Sequence, residues 1–141
     1  SGDVYLSRDC FVFHDHRVPL GEFEPRGQGR FPSADTAALA EALGLKRGIV
    51  SSGSSLDYTE RDLEVFHSLG ATLKEMEAAA IAQVGDWLGV PVLAVKAVTN
   101  LLDRTPDSAS AFTRNLETAC AALTRDVPRV VLQIVTDAPR R

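Results

Sequence analysis

The sequence predicts an α/β fold, and three observations predict it. Short β-branched and aromatic runs alternate with helix-forming segments in the order β-β-α-β-α-β-α-β-α. Glycines close the helical segments, at Gly44, Gly70 and Gly89. The run Pro91 to Val98 is apolar except for Lys96 and rich in valine, as expected of a strand covered on both faces in a parallel or mixed sheet.

The elements follow in order. Val4-Tyr5-Leu6 and Phe11-Val12-Phe13 flank a polar break and read as two strands or one bent hairpin. Residues 21–32 are rich in glycine, proline and charge and read as a loop. Ser33 is placed to cap a helix through about Leu43, with Ala37, Leu39, Ala40 and Leu43 on one side. Gly48-Ile49-Val50 is a strand that runs into a serine-rich turn at 51–57. Thr59, Glu60, Asp62 and Leu63 open a helix that ends near Gly70, and Ala71-Thr72-Leu73 is a brief strand. Met76 to Leu88 is dominated by good helix formers. A long helix from about Ser108 is weakened near Pro128 and then continues through Val135.

Composition narrows the function. The chain has 141 residues, enough for one domain, with no repeat or linker; 45% hydrophobic and 24% charged residues fit a globular fold rather than a disordered one. A net charge of −4 with scattered basic residues argues against a nucleic-acid partner, since phosphate binding needs a basic face. No apolar stretch approaches the length of a membrane span. Cys10 and Cys120 lack CxxC or zinc spacing, so they read as small residues in or near the core of a protein from a reducing, cytoplasmic compartment. Ser1 opens almost directly onto a strand-like run, which suggests sequence upstream, where any targeting signal would lie.

In α/β sheets ligands bind past the C-terminal ends of strands. Three such ends carry polar residues here: 51–57, Lys74-Glu75-Met76-Glu77, and Thr99-Asn100. Glu75 and Glu77 precede a helix, whose first N–H groups and dipole stabilise carboxylates. Spacing alone favours caps over a ligand site. His14-Asp15-His16 puts both histidines on one strand face without a third ligand, so a structural role outweighs a metal site. Gly27-Gln28-Gly29 lacks the helix of a dinucleotide loop, and Ser54-Ser55 lacks the elbow of a nucleophilic serine.

Several short strings in register carry a resemblance. Ala71-Thr72-Leu73-Lys74-Glu75-Met76-Glu77-Ala78-Ala79-Ala80, Val90-Pro91-Val92 and Lys96-Ala97-Val98-Thr99 resemble methylthioadenosine/adenosylhomocysteine nucleosidases, plant-type members above all. The likeness extends to Gly2-Asp3-Val4, Phe13-His14-Asp15 and Gly53-Ser54-Ser55-Leu56-Asp57, nearly the whole chain. The resemblance implies a three-layer α/β/α structure with a mixed central sheet, the first strands lying outside this chain. Residues 1–141 would be the C-terminal part of a single nucleoside phosphorylase-like domain, inactive and aggregation-prone alone. It also implies hydrolysis of the N-glycosidic bond of 5′-methylthioadenosine or S-adenosylhomocysteine in methionine salvage, with no cofactor and no metal, in a homodimer.

The resemblance assigns roles by position. Glu77 accepts hydrogen bonds from the ribose hydroxyls and faces the developing oxocarbenium charge, and Met76 packs on the sugar. Leu56 and Asp57 flank the purine, by stacking and backbone contact. Thr99 and Asn100 meet the base edge, and Glu75 is counted among the substrate-binding residues with Met76 and Glu77. The apolar loop Val18, Pro19, Leu20 and Phe23 matches one that crosses to the neighbouring subunit; a local core contact is the equal alternative. Asn100 departs from the family's hydrolases, which carry an aspartate that protonates N7. An amide has no acidic proton, and general acid catalysis is worth roughly 10²–10⁴-fold. Asp103 matches a second family aspartate and is a poor substitute. Asn100 therefore supports altered base preference, as in phosphorylases of 6-oxopurine nucleosides, an inactive nucleoside-binding homologue, or an error in the sequence. Ser54 also departs, standing where many relatives have aspartate.

Overall fold

The computed structural model describes residues 2–15, 20–23, 29–102 and 108–137. Its elements are β1 (Val4–Asp15), β2 (Arg30–Pro32), α1 (Ala37–Leu43), β3 (Lys46–Gly53), α2 (Glu60–Ser68), β4 (Leu73–Glu75), α3 (Ala78–Leu88), β5 (Val95–Ala97) and α4 (Ser108–Asp137). They fall into two compact units. One holds Ser7–Asp35 and Gly48–Ala94; the other holds Ser1–Leu6, Thr36–Arg47 and Val95–Arg141. The strands form a mixed sheet: β1 runs antiparallel to β2 and to β5, whereas β3 and β4 are parallel.

In the first unit the strand order is β2-β1-β3-β4. Side chains alternate across the sheet, so the two faces separate cleanly. Cys10, Val12 and Ile49 form a buried cluster on one face, closed by Leu69 and Ala71 at the end of α2. His14 continues that face, its ring edge-on to Phe66 of α2 at 6.1 Å between centroids. On the other face lie Phe11 and Phe13, Phe13 packing edge-on against Phe31. Ser52 meets the first turn of α3 there. Helix α3 buries Ala78, Ala79, Ala82 and Gly85. A Cβ at Gly85 would stand 2.4 Å from Val92 Cγ2, so the close approach of that segment needs glycine.

Several expected boundaries move, each for a physical reason. Val4 to Asp15 is one strand rather than two, because Asp9 takes a left-handed conformation (φ 58°) that absorbs the polar break inside it. Arg30-Phe31-Pro32, expected as loop, pairs with Cys10-Phe11-Val12; Phe31 supplies the apolar contact, and Pro32 is tolerated on an edge. Ser33 does not cap α1. Its hydroxyl bonds with Ser7 Oγ at 2.8 Å, and the helix starts at Ala37. Ser51, Ser52 and Gly53 are buried strand, not turn. Helix α3 begins at Ala78, two residues later than its composition suggests.

The apolar run after Pro91 is strand only over Val95–Ala97, and it is half-buried rather than covered on both faces. The Ala94 N–H donates to the Ser7 hydroxyl (2.9 Å), and the Val92 carbonyl accepts from Ala34 N–H (2.8 Å), so backbone groups before Val95 go to irregular partners.

The second unit packs α1 against α4. Asp126 of α4 is buried, and its carboxylate accepts from Arg125 Nη2 at 2.6 Å and Arg129 Nη1 at 2.5 Å; these hold its pKa below the usual carboxylate value. Arg129 Nη2 also donates to the Leu43 carbonyl at the end of α1 (3.2 Å), before Gly44 turns left-handed. Helix α4 continues past Pro128, as the apolar pattern suggests, and Cys120 on it is exposed rather than in the core. Among the described residues no helix is long and apolar enough to cross a membrane.

Candidate active site

The parallel pair β3–β4 sets the geometry of the first unit's polar end. Its register places Ser51 beside Lys74 and Ser52 beside Glu75. Laterally paired residues share a face, so Ser51 and Lys74 point to the α2 side, Ser52 and Glu75 to the α3 side.

On the α3 side Glu75 is a helix cap. Its carboxylate accepts from the N–H of Glu77 (3.0 Å) and of Ala78 (2.8 Å) and from the Ser52 hydroxyl. The Ser52 oxygen accepts in turn from the Ala79 N–H at 2.8 Å. The opening N–H groups of α3 are thus satisfied by two side chains from neighbouring strand ends, a charge-assisted arrangement at the positive end of the helix dipole. Glu77 differs. It occupies the N-cap position, makes no side-chain cap bond and is exposed. Met76 beside it is 43% exposed, an apolar side chain left open next to a carboxylate.

On the α2 side, His14 Nδ1 bonds with Ser51 Oγ at 2.8 Å in a buried contact. A Cβ on Gly53 would come within 2.3 Å of His14 Nε2, so the ring lies directly on the glycine backbone. Burial first, then the positive charge of Lys74, lowers the His14 pKa, which keeps it neutral and structural. Asp15 shares that strand end; His16 lies outside the described residues, and no metal-holding group of three occurs among those described. Lys74 Nζ reaches across to the carbonyl oxygens of Ser55 (2.5 Å) and Leu56 (3.2 Å). Leu56 is 58% exposed, and Asp57 is exposed beside it. Leu20 is 66% exposed and Phe23 38%; Val18 and Pro19 lie outside the described residues.

Five of the sequence-derived candidates, Leu56, Asp57, Glu75, Met76 and Glu77, therefore sit on strand ends or the segments following them in one unit. Thr99 and Asn100 belong to the other unit, following β5. There the Thr99 hydroxyl donates to Asn100 Oδ1 at 2.8 Å, so the carbonyl end of the amide is engaged. Asp103 and Gly27-Gln28 lie outside the described residues. Sequence reasoning missed the roles of Ser52 and Lys74. Their signal was present, a polar residue at the end of each of two adjacent strands, but only the register shows which groups they meet.

Residues 1–132 match the profile of the phosphorylase superfamily. Among curated relatives, 5′-methylthioadenosine nucleosidase of Arabidopsis thaliana is 42% identical over 130 residues, covering 92% of this chain and 48% of the relative. The 5′-methylthioadenosine/S-adenosylhomocysteine nucleosidase of the same plant is 34% identical over 129 residues, covering 92% and 50%. The solved apo structure of Arabidopsis thaliana 5′-methylthioadenosine nucleosidase superposes with a TM-score of 0.87 at 39% identity, over 99% of this chain and 56% of that one. The chain spans about half the length of the curated relatives it matches.

Proposed function

The chain belongs to the phosphorylase superfamily, and on that premise we propose that the whole protein hydrolyses the N-glycosidic bond of 5′-methylthioadenosine, with S-adenosylhomocysteine as a second substrate, in methionine salvage. The observation that carries this reading is the division of labour between two adjacent carboxylates. Glu75 is spent on the N-terminus of α3, while Glu77 is exposed and beside Met76. An ionised carboxylate accepts well from a ribose diol, and its charge favours a sugar that becomes cationic as the glycosidic bond stretches. Met76 supplies an apolar surface for the sugar, and Leu56 and Asp57 flank the purine. No cofactor or metal enters this reaction; water is the nucleophile. A homodimer in the cytoplasm completes the reading, with Leu20 and Phe23, exposed on their own chain, covering the neighbour's 5′ substituent.

Thr99 and Asn100 are assigned to the base edge. With the Asn100 carbonyl taken by Thr99, its N–H₂ end is the one that addresses N7. A hydrogen bond there orients the purine without protonating it, so adenine leaves more slowly than from an aspartate by roughly 10²–10⁴-fold. The nucleosidase names of the curated relatives favour hydrolysis over a phosphate-dependent reaction.

The test is purine release by the whole protein in phosphate-free buffer, from 5′-methylthioadenosine and from inosine, for wild type and for Asn100→Asp. Adenine release from the first substrate, faster by about 10²-fold or more in the variant, is the expected result. Release that requires phosphate overturns the hydrolytic reading. Binding of 5′-methylthioadenosine with no release, by wild type and variant alike, leaves a nucleoside-binding protein in its place.

A further inference from the structure

We infer that Lys74 is a positioning residue for the purine: it holds the segment after β3, and with it Leu56 and Asp57, in one conformation. The inference rests on the nucleoside-binding reading of those two residues. The Lys74 ammonium donates to two consecutive carbonyl oxygens, Ser55 at 2.5 Å and Leu56 at 3.2 Å. An ammonium carries three donors and no acceptor, and charge-assisted bonds of this kind are roughly twice as strong as neutral ones. The register fixes why Lys74 can do this. Opposite Ser51 in the parallel pair, it rises on the α2 face, on which His14 is bonded to Ser51.

The segment has need of such a tie. Between the end of β3 at Gly53 and the cap of α2 at Thr59 there is no strand or helix, and Ser54 to Asp57 are all exposed. Burial therefore does not anchor it. A second tether runs from Ser54 Oγ to the Asp15 carbonyl at 3.2 Å, so the loop is drawn toward β1 at one point and β4 at the next. Burial lowers the Lys74 pKa, and the negative charges of Asp57, Asp62, Asp15 and Glu75 act in the opposite direction. Lys74 ties the base-flanking loop to the strand that carries Glu75 and leads to Met76 and Glu77, which couples the purine side of the ligand to the ribose side.

The experiment compares Lys74→Met and Lys74→Arg with wild type in the whole protein. Lys74→Met keeps the length and apolar stem and removes every donor; Lys74→Arg restores charge and donors. Without ligand, backbone amide order parameters over residues 54–58 should drop in Lys74→Met from the rigid range, about 0.85, toward about 0.6 or below. Adenine affinity should fall and the KM for 5′-methylthioadenosine rise by about tenfold, with kcat changed less than about threefold, as expected when uniform binding is lost. Lys74→Arg should recover most of each effect. Unchanged order parameters over 54–58 overturn the tie. Lower order parameters with unchanged adenine affinity overturn the positioning role. Should Lys74→Met fail to fold, Lys74→Gln, with a shorter donor reach, carries the same expectations. Wild-type protein that neither binds adenine nor cleaves 5′-methylthioadenosine sinks the nucleosidase reading and this role with it, while the order parameters still judge the tie itself.

Discussion

Two helices leave the same sheet and start in different ways. Helix α2 is capped by its own sequence: Thr59 Oγ1 accepts from Asp62 N–H at 3.2 Å, and the Asp62 carboxylate accepts from Thr59 N–H at 2.8 Å. Helix α3 is not capped by its own N-cap residue, Glu77. Its N–H groups are met by Glu75 from the end of β4 and by Ser52 from β3.

 In terms of sequence distance, the Ser52–Ala79 bond is the long-range one, spanning 27 residues, while Glu75 lies three residues before Ala78 but is held in a strand. A cap of the first kind fixes a helix end and nothing else. A cap of the second kind ties the helix to two strands, and so fixes the two residues between strand and helix, Met76 and Glu77. The candidate ribose-binding pair stands where the cap is tertiary, not where it is local.

The largest effect should come from breaking the tertiary cap. Glu75→Ala removes the acceptor of the Glu77 and Ala78 N–H groups and of the Ser52 hydroxyl. The expected cost is about 1–3 kcal/mol, since donors at a helix start lose a charged partner. In the whole protein kcat/KM for 5′-methylthioadenosine should fall by roughly 10²-fold, the scale of a small misplacement of a substrate-holding group. Urea melts and steady-state rates of the same preparation read both. An unaltered rate alongside lost stability would separate the cap from the site and remove the point of the comparison.

How much of this was legible in the sequence follows from the same contrast. The local cap at Thr59–Asp62 and the left-handed glycine stops at Gly44 and Gly89 are written in neighbouring residues, and the expected helix ends there match. What depends on register is not so written. Phe31 makes a strand only because Phe11 and Phe13 are beside it, and Ser33 turns from helix cap to partner of Ser7. Glu75 and Glu77 look alike in sequence, both acidic and just before a helix, and the end of β4 at Glu75, in register with Ser52, is what sends one of them to Ser52. The positions of the site residues came from resemblance; their division of labour came from the strand pairing.

A smaller, pH-dependent effect should sharpen the contrast from the α2 side. His14 has a lowered pKa in the fold, through burial first and Lys74 second. Above its ordinary value of about 6.5 the ring is neutral in both folded and unfolded chains and contributes no slope. As pH falls below that value the unfolded chain takes up the proton first, so stability falls with it, at no more than about 1.4 kcal/mol per pH unit for one proton. Thermal melts of the whole protein between pH 7 and pH 5 should show that loss. His14→Gln, which keeps an amide for Ser51 and cannot ionise, should start lower in Tm and lose less over the same interval. Equal slopes in both proteins would assign the acid sensitivity to other groups.

The smallest effect belongs to the local cap. Thr59→Ala removes the hydroxyl that accepts from Asp62 N–H and donates to its carboxylate, while the Thr59 N–H bond to Asp62 can persist. Such losses cost about 1 kcal/mol, and because the cap is exposed, water takes up part of the vacated bonding. The hydrogen bonds of this cap join Thr59 to Asp62, so KM and kcat for 5′-methylthioadenosine should stay within about twofold of wild type while the urea midpoint moves. The contrast with Glu75→Ala is then one of kind: comparable helix ends, one whose loss is felt in stability alone and one whose loss is felt at the substrate. A tenfold or larger rise in KM for Thr59→Ala would mean that the start of α2 also governs the loop bearing Leu56 and Asp57, and that the local cap serves the site after all.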